Sequence, residues 1–320
     1  MKKSLAFMLI VLFVGLFSGC ANEVVFDKEN NLQLYYVAPA STPAPNGYPA
    51  IIFIHGYNGT KQEMLQLAIR AAQKGYFAIS IDWRQPNKSS IMWPQLMDDV
   101  QNAIFWLIKD TSYASNWSIA NPYKIDITRI GAAGFSCGGI TSLMLMDFDK
   151  PPIKALAAFA APTDMESEYR YLAFSEKGDE NDPNPLDPKL NVIAIDFIEN
   201  LVGPYKIKDV NNDGIPDYDP KYYEASPINH INTKVPLLLI DGSLDIAVPP
   251  SQGRIMMRKV RELGGICDMF IFNMGHSMYP GLATATCPSK EMDVNSGIEY
   301  TNTEGNTGLG IMFEFFKAKL

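Results

Sequence analysis

The sequence is short of positive charge. Its 320 residues include 27 lysines and arginines against 35 aspartates and glutamates, and the net charge is −8 at pH 7. Loss of residues 1–20, which contain two lysines and no acid, would lower that charge to −10. A chain this acidic is not expected to bind nucleic acid or an anionic membrane by electrostatic attraction. Contact with a membrane would therefore depend on an anchor.

The N-terminal apolar run is too short to cross a membrane. Leu5–Phe17 follows the basic residues Lys2 and Lys3 and is succeeded by small residues. A spanning helix needs about 20 apolar residues, whereas a basic start, a short apolar core and small residues are typical of a signal peptide. We therefore expect residues 1–20 to be a signal peptide and residues 21–320 to form the mature protein.

The end of this segment resembles a bacterial lipobox. Ser18, Gly19 and Cys20 fit the pattern, while Phe17 stands where an aliphatic residue is usual. The resemblance implies that Cys20 is acylated and that the protein is exported and anchored by lipid to the bacterial (outer) membrane. The alternative is ordinary secretion or a periplasmic location, with Cys20 at this place by coincidence.

Cysteine is also scarce, with four in the chain. Cys137 follows a serine in an apolar stretch, so we expect it to be buried. Cys267 and Cys287 could form a disulfide if the protein reaches an oxidising compartment.

What the sequence has in quantity is apolar residues, 47% of the chain, enough for one large core. The stretch Ile130–Gly139 reads IGAAGFSCGG: an apolar strand leads through Gly134-Phe135-Ser136-Cys137-Gly138 into a helical segment. Gly-x-Ser-x-Gly between a strand and a helix is typical of a nucleophile elbow, with the serine projecting above the sheet. Ser136 is therefore the candidate nucleophile, and a helix-capping serine in a Gly-rich turn is the alternative.

A second motif follows the buried strand Ala50–His55, in the order His55-Gly56-Tyr57-Asn58. With the elbow, this loop is similar to that of the α/β-hydrolase family, and the segment before the elbow resembles secreted acetyl-esterase and feruloyl-esterase-type enzymes and their prolyl-oligopeptidase-like relatives. The residues that carry this likeness are Trp93-Pro94-Gln95, Asp98-Asp99-Val100, Ala103-Ile104, Trp106-Leu107, Ile125-Asp126 and Arg129-Ile130-Gly131.

The resemblance implies an α/β fold: a doubly wound, mostly parallel sheet in one domain, with a cap insertion at about residues 163–230. It also implies roles for four more residues. Asp245, in the loop after the strand Val235–Asp241, would be the acid of a Ser-His-Asp triad, and His276 the base. The backbone amides of Tyr57 and Cys137 would form the oxyanion hole.

The activity implied is hydrolysis of a carboxylic ester by a serine hydrolase through an acyl-enzyme, without a catalytic metal or organic cofactor. The substrate would be a small acyl or hydroxycinnamoyl ester, as a small molecule or on a polysaccharide. One alternative is a serine peptidase of the prolyl-oligopeptidase or acylaminoacyl-peptidase type. Another is a binding protein that uses a hydrolase scaffold without turnover.

The insertion contains a segment similar to the first part of a calcium-binding loop. Asp209, Asn211, Asp213 and Asp217 supply side-chain oxygens at positions 1, 3, 5 and 9, and Ile215 a carbonyl at position 7. Pro220 stands at position 12, where a bidentate carboxylate is usual. Structural calcium is one interpretation, and a solvated turn rich in Asx residues is the other.

Overall fold

The architecture comes from a computed structural model. It describes residues 21–85, 92–150, 152–185, 188–205, 219–276, 292–300 and 307–320, with the side chains of residues 188–193 left aside. Among these residues, no helix has both the length and the apolar character needed to span a bilayer.

The described residues contain one sheet of nine strands. The strands are β1 (Asn22–Asp27), β2 (Leu32–Val37), β3 (Tyr48–Ile54), β4 (Phe77–Ile81), β5 (Ile125–Phe135), β6 (Ala155–Phe159), β7 (Leu237–Gly242), β8 (Cys267–Phe272) and β9 (Met292–Asp293). Their order is β1-β2-β4-β3-β5-β6-β7-β8-β9. The strands from β3 to β8 run parallel, while β1, β2 and β9 pair antiparallel at the two edges.

Helices cover both faces of this sheet. They are α1 (Lys61–Gln73), α2 (Gln95–Ile108), α3 (Cys137–Met144), α4 (Met165–Phe174), α5 (Pro188–Val202), α6 (Pro220–Glu224), α7 (Ser251–Glu262) and α8 (Gly308–Lys319). One apolar core contains residues of α2, α3 and α7, and a second core contains residues of α1 and α8. Both faces of the parallel strands are therefore buried, which explains their continuous apolar sequences.

Strand β3 shows how one apolar run serves two cores. Ile52 and Ile54 belong to the first core, and Ile51 and Phe53 belong to the second. Successive side chains of a strand point to opposite faces, so four consecutive apolar residues are needed when both faces are covered.

The order of the strands reverses at β3, which pairs with β4 on one side and with β5 on the other. Chain connections leave such a switch point in opposite directions, and a crevice forms beyond the carboxyl ends of the strands. The turns after β3, β5, β7 and β8 meet at this edge. The helices α4, α5 and α6 lie between β6 and β7 in sequence, within the insertion expected to form a cap.

The edge strand β9 was not expected from the sequence. It contains two residues, which pair antiparallel with Met269 and Phe270 of β8. The chain that follows β9 contacts Asp268 in β8, which is fully buried. The carboxylate of Asp268 accepts hydrogen bonds from the backbone N–H groups of Asn295 (2.8 Å) and Ser296 (2.9 Å), the hydroxyl of Ser296, and the hydroxyl of Tyr300 (2.6 Å). One buried carboxylate thus holds residues 295–300 against the sheet.

The variant Asp268→Ala should lose about 3 kcal/mol or more of unfolding free energy, because each buried donor left without an acceptor costs about 1–3 kcal/mol. Urea unfolding measures the change. The matched control is Asp293→Ala, which removes an exposed partner of Arg261 and should cost no more than about 1 kcal/mol. Similar losses in the two variants would contradict this account of residues 295–300.

Candidate active site

The turn between β5 and α3 holds Ser136 in an unusual backbone conformation. Its φ is 54° and its ψ is −118°, a region that costs a residue other than glycine of order 1–3 kcal/mol. The glycines on either side of the serine have no room for a side chain. A Cβ atom at Gly134 would overlap the carbonyl oxygen of Gly138, and a Cβ at Gly138 would overlap the carbonyl oxygen of Ile54. The two glycines of the motif are therefore required by contact between backbones.

The structure brings together the three side chains predicted to form the triad. Nε2 of His276 lies 3.0 Å from Oγ of Ser136, and Nδ1 of His276 lies 2.9 Å from Oδ2 of Asp245. The other oxygen of Asp245 accepts hydrogen bonds from the N–H groups of Ala247 and Val248, at 2.9 Å each. A buried carboxylate at Nδ1 favours the tautomer that leaves Nε2 free to accept the serine proton.

Burial differs along this chain of hydrogen bonds. Asp245 is fully buried, Ser136 is nearly so, and the His276 side chain is 30% exposed. The ring of Phe135 packs against the imidazole, with centroids 5.2 Å apart. The acid is thus kept from water, while the base and the nucleophile face the cavity described below.

Asp241, which ends the strand before Asp245 in the sequence, and the other two histidines of the chain lie elsewhere. Asp241 lies buried within β7, where burial raises the pKa of its carboxyl group well above the ordinary value. His55 stacks on Trp83, with centroids 5.3 Å apart, and burial lowers the pKa of its imidazole. The imidazole of His230 contacts a carboxylate oxygen of Asp147 at 3.0 Å. None of these three has a described hydrogen bond to Ser136.

The two amides expected to form an oxyanion hole come from adjacent turns. Cys137 is the first residue of α3, and the first N–H groups of a helix have no partner within it. Tyr57 follows Gly56, whose Cβ position lies 3.4 Å from the Cβ of Ser136. Both amides therefore belong to turns beside the serine hydroxyl, where they can stabilise negative charge on a carbonyl oxygen.

A cavity of about 390 Å³ opens at Ser136 and His276, within the range of small-molecule sites. The body of the protein and the insertion both contribute to it. Its apolar walls include Tyr57, Phe135, Leu172, Phe197, Ile198 and Val248. Such walls exclude water from the reacting groups and suit an apolar acyl chain.

One residue at this cavity escaped the sequence analysis. Glu168 lies in α4, lines the cavity with Ser136 and His276, and is 1% exposed. Burial, reinforced by the nearby carboxylate of Asp245, raises the pKa of Glu168 well above its ordinary value. The sequence offered no signal for it beyond a polar position in an amphipathic helix, since its burial depends on how the insertion packs on the body.

Several predicted sites lie outside the described residues. These are the lipidation site Cys20, the cysteine Cys287, and the calcium ligands Asp209, Asn211, Asp213, Ile215 and Asp217. Cys267 is buried in β8, and its pairing with Cys287 stays a prediction. Within the part of the chain that the structure describes, no cluster of three or more His, Cys, Asp or Glu residues could hold a metal ion.

Comparison with known proteins links this geometry to two families. The family model described as BD-FAE matches residues 32–175, which include Tyr57 and Ser136. The model of the prolyl oligopeptidase family matches residues 185–286, which include Asp245 and His276. Esterase LipC of Mycobacterium tuberculosis is 25% identical over 224 residues, covering 67% of this chain and 49% of LipC. The match thus spans about half the length of this curated relative.

Solved structures share the architecture. The acylaminoacyl peptidase of Pyrococcus horikoshii has a TM-score of 0.63 and 18% identity, covering 97% of this chain and 43% of that chain. The propionate-bound esterase Est2 of Thermogutta terrifontis has a TM-score of 0.60 and 18% identity, covering 93% of this chain and 94% of that chain. At such identities the likeness concerns the fold, and it confirms the fold class expected from the sequence.

The buried acid Glu168 should make the stability of the fold depend on pH. The folded-state pKa of Glu168 is raised above an unfolded value of about 4.3, so its contribution to stability is complete below the unfolded pKa and is lost as pH rises through the folded pKa. Glu168→Gln, which does not titrate, should lose less unfolding free energy between about pH 5 and pH 8 than the wild type. Urea unfolding at both pH values checks this, and equal losses would contradict it.

Proposed function

We propose that the chain is an α/β-hydrolase of the carboxylesterase-type serine hydrolase class, in which Ser136, His276 and Asp245 form the catalytic triad. One observation carries the proposal: hydrogen bonds of 3.0 and 2.9 Å join the three side chains in series. The series ends at a cavity with apolar walls. The match to LipC, an esterase, supports the same class of reaction.

The geometry supports acyl transfer in two steps. Nε2 of His276 takes the proton of Ser136 while Oγ attacks the ester carbonyl carbon, and the amides of Tyr57 and Cys137 stabilise the negative oxygen. His276 then gives that proton to the departing alkoxide, which leaves an acyl-serine. In the second step His276 takes a proton from water, the hydroxide attacks the acyl group, and Ser136 recovers its proton as the acid departs. Asp245 stabilises the imidazolium formed in each step.

We propose esters with a small acyl or hydroxycinnamoyl group as substrates, either free or on a polysaccharide. The cavity volume of about 390 Å³ supports a small acyl group. The esterase Est2 of Thermogutta terrifontis is also found with propionate or butyrate bound. The polysaccharide part rests on the likeness of the sequence to acetyl-esterase and feruloyl-esterase-type enzymes.

A serine peptidase is the second candidate. The prolyl oligopeptidase model covers the segment that contains Asp245 and His276, and the Pyrococcus neighbour is an acylaminoacyl peptidase. The same triad cleaves esters and amides, so the chemistry alone does not separate the two. Turnover of aminoacyl nitroanilides without turnover of nitrophenyl esters would favour the peptidase.

Two further proposals rest on sequence alone. The loop at residues 209–217 would bind a structural calcium ion. Residues 1–20 would direct export, and acylation of Cys20 would anchor the mature chain to the membrane.

The central kinetic prediction concerns Ser136→Ala. It should lower kcat for nitrophenyl acetate and butyrate by about 10⁴-fold or more, because the nucleophile is lost. The matched control is Ser142→Ala, since Ser142 lies in α3, the helix that follows Ser136, and its hydroxyl donates to the carbonyl oxygen of Gly139. The control should retain wild-type turnover. Hydrolysis by Ser136→Ala at the wild-type rate would disprove the assignment.

The anchor has its own test. In a bacterial host given radiolabelled palmitate, the wild-type chain should incorporate label, because acylation attaches fatty acid to it. It should then partition into detergent, because the attached acyl chains are buried there. The Cys20→Ala variant should incorporate none. Label retained by that variant, or absent from the wild type, would contradict acylation at Cys20.

A further inference from the structure

Glu168 is a buried acid that the proposed chemistry does not use. It lies in α4 one helical turn before Leu172, and both side chains line the cavity that contains Ser136 and His276. Neither carboxyl oxygen of Glu168 has a hydrogen-bond partner among the described residues. An unpaired buried polar group costs about 1–3 kcal/mol, so this position reduces the stability of the fold.

The environment of Glu168 favours its neutral form. Burial raises the pKa of its carboxyl group, and the negative charges of Asp245, Asp182 and Asp164 act in the same direction. A protonated carboxyl group offers one O–H donor and one carbonyl acceptor. The cavity therefore contains one neutral group that can both donate and accept a hydrogen bond.

The helix that carries Glu168 is held firmly at its N-terminus. The side chain of Asp164 accepts hydrogen bonds from the first turn of α4. The side-chain oxygen of Gln252 accepts the N–H groups of Thr163 and Asp164, at 2.9 Å each, and Ser226 accepts the N–H of Met165 at 2.8 Å. These contacts fix the start of α4, and with it the place of Glu168 at the wall of the cavity; a rigid element of this kind is what recognition of a ligand requires.

We infer that Glu168 is a specificity-determining residue that binds a hydroxyl group of the ester substrate, close to the bond that is cleaved. The inference rests on the proposed esterase function. A hydroxyl group offers a donor and an acceptor, as the protonated carboxyl group does, so the two can exchange hydrogen bonds without any charge in the apolar cavity. The substrate class is thus an ester that carries a free hydroxyl, on the acyl group or on the alcohol.

Charged substrate groups fit this cavity less well. An ammonium group would ionise Glu168 beside Asp245, and the walls at Leu172, Phe197 and Ile198 would leave the resulting ion pair poorly solvated. A carboxylate group would find no lysine or arginine among the described residues that line the cavity, and it would face Glu63 there.

The test compares kcat/KM within two matched pairs of esters. One pair differs in the acyl group, as 4-nitrophenyl 3-hydroxybutyrate and 4-nitrophenyl butyrate. The other differs in the alcohol, as 1-butyrylglycerol and propyl butyrate. In at least one pair the wild type should prefer the hydroxylated ester by about tenfold or more, the value of one hydrogen bond in a buried site. Equal values in both pairs would overturn the inference.

Variants test whether the Glu168 side chain causes that preference. Glu168→Leu should reduce the ratio to about one, because the substrate hydroxyl loses its partner, and its melting temperature should rise because an unpaired polar group is removed. Glu168→Gln keeps a donor and an acceptor and should preserve the preference within about threefold. The control is Glu166→Leu, since Glu166 binds Arg170 and Tyr205 instead of lining the cavity. It should keep the wild-type ratio.

Other results would also overturn the inference. An unchanged ratio in Glu168→Leu would do so at any melting temperature, and a lower melting temperature beside it would make Glu168 a structural residue. A wild-type preference for 4-nitrophenyl 3-aminobutyrate over the hydroxy ester would assign Glu168 to a cation. Turnover of none of these esters would overturn the esterase proposal and this inference with it, whereas turnover without preference would overturn this inference alone.

Discussion

The candidate site depends on one steric constraint, the contact between the turn after β5 and the loop after β3. Gly138 lies so close to the carbonyl oxygens of Ile54 and His55 that no side chain fits there. This contact brings the turns that contain Tyr57 and Cys137 together at Ser136, and the strained backbone of Ser136 is held by the parallel pairing of β5 with its neighbours. A larger residue at Gly138 would push the loop after β3 away and separate Ser136 from the amide of Tyr57.

Around that contact, the groups of the candidate site differ in their exposure to water. The carboxylate of Asp245 is removed from water and satisfied by two backbone amides and by His276. The imidazole is partly exposed, as a group that must transfer protons between an alcohol and water has to be. The insertion adds Leu172, Phe197 and Ile198 to the apolar wall, together with the buried acid Glu168. We propose that the body of the protein supplies the reacting groups and that the insertion supplies selection.

The elbow motif indicated Ser136, and the resemblance to the α/β-hydrolase family implied Asp245 and His276. Each of the three follows a buried strand, and because parallel strands end at one edge of a sheet, the pairing of the strands between β5 and β8 brings them near one another. The sequence did not predict the burial of Glu168 or the strand β9, and the physical reason is the same for both. The burial of Glu168 depends on the packing of the insertion, and β9 pairs with β8 beside a segment that hydrogen bonds hold to Asp268, about 30 positions earlier in the chain. Local patterns contain neither kind of information.

The most direct test of the central claim is to find where a covalent serine reagent attaches. The protein is treated with a fluorophosphonate, its intact mass is measured, and the labelled peptide is sequenced. The account predicts one adduct per chain, on Ser136, and no adduct when His276 is replaced by alanine, because the hydroxyl is then not activated. An unlabelled chain, or an adduct on another serine, would contradict the account.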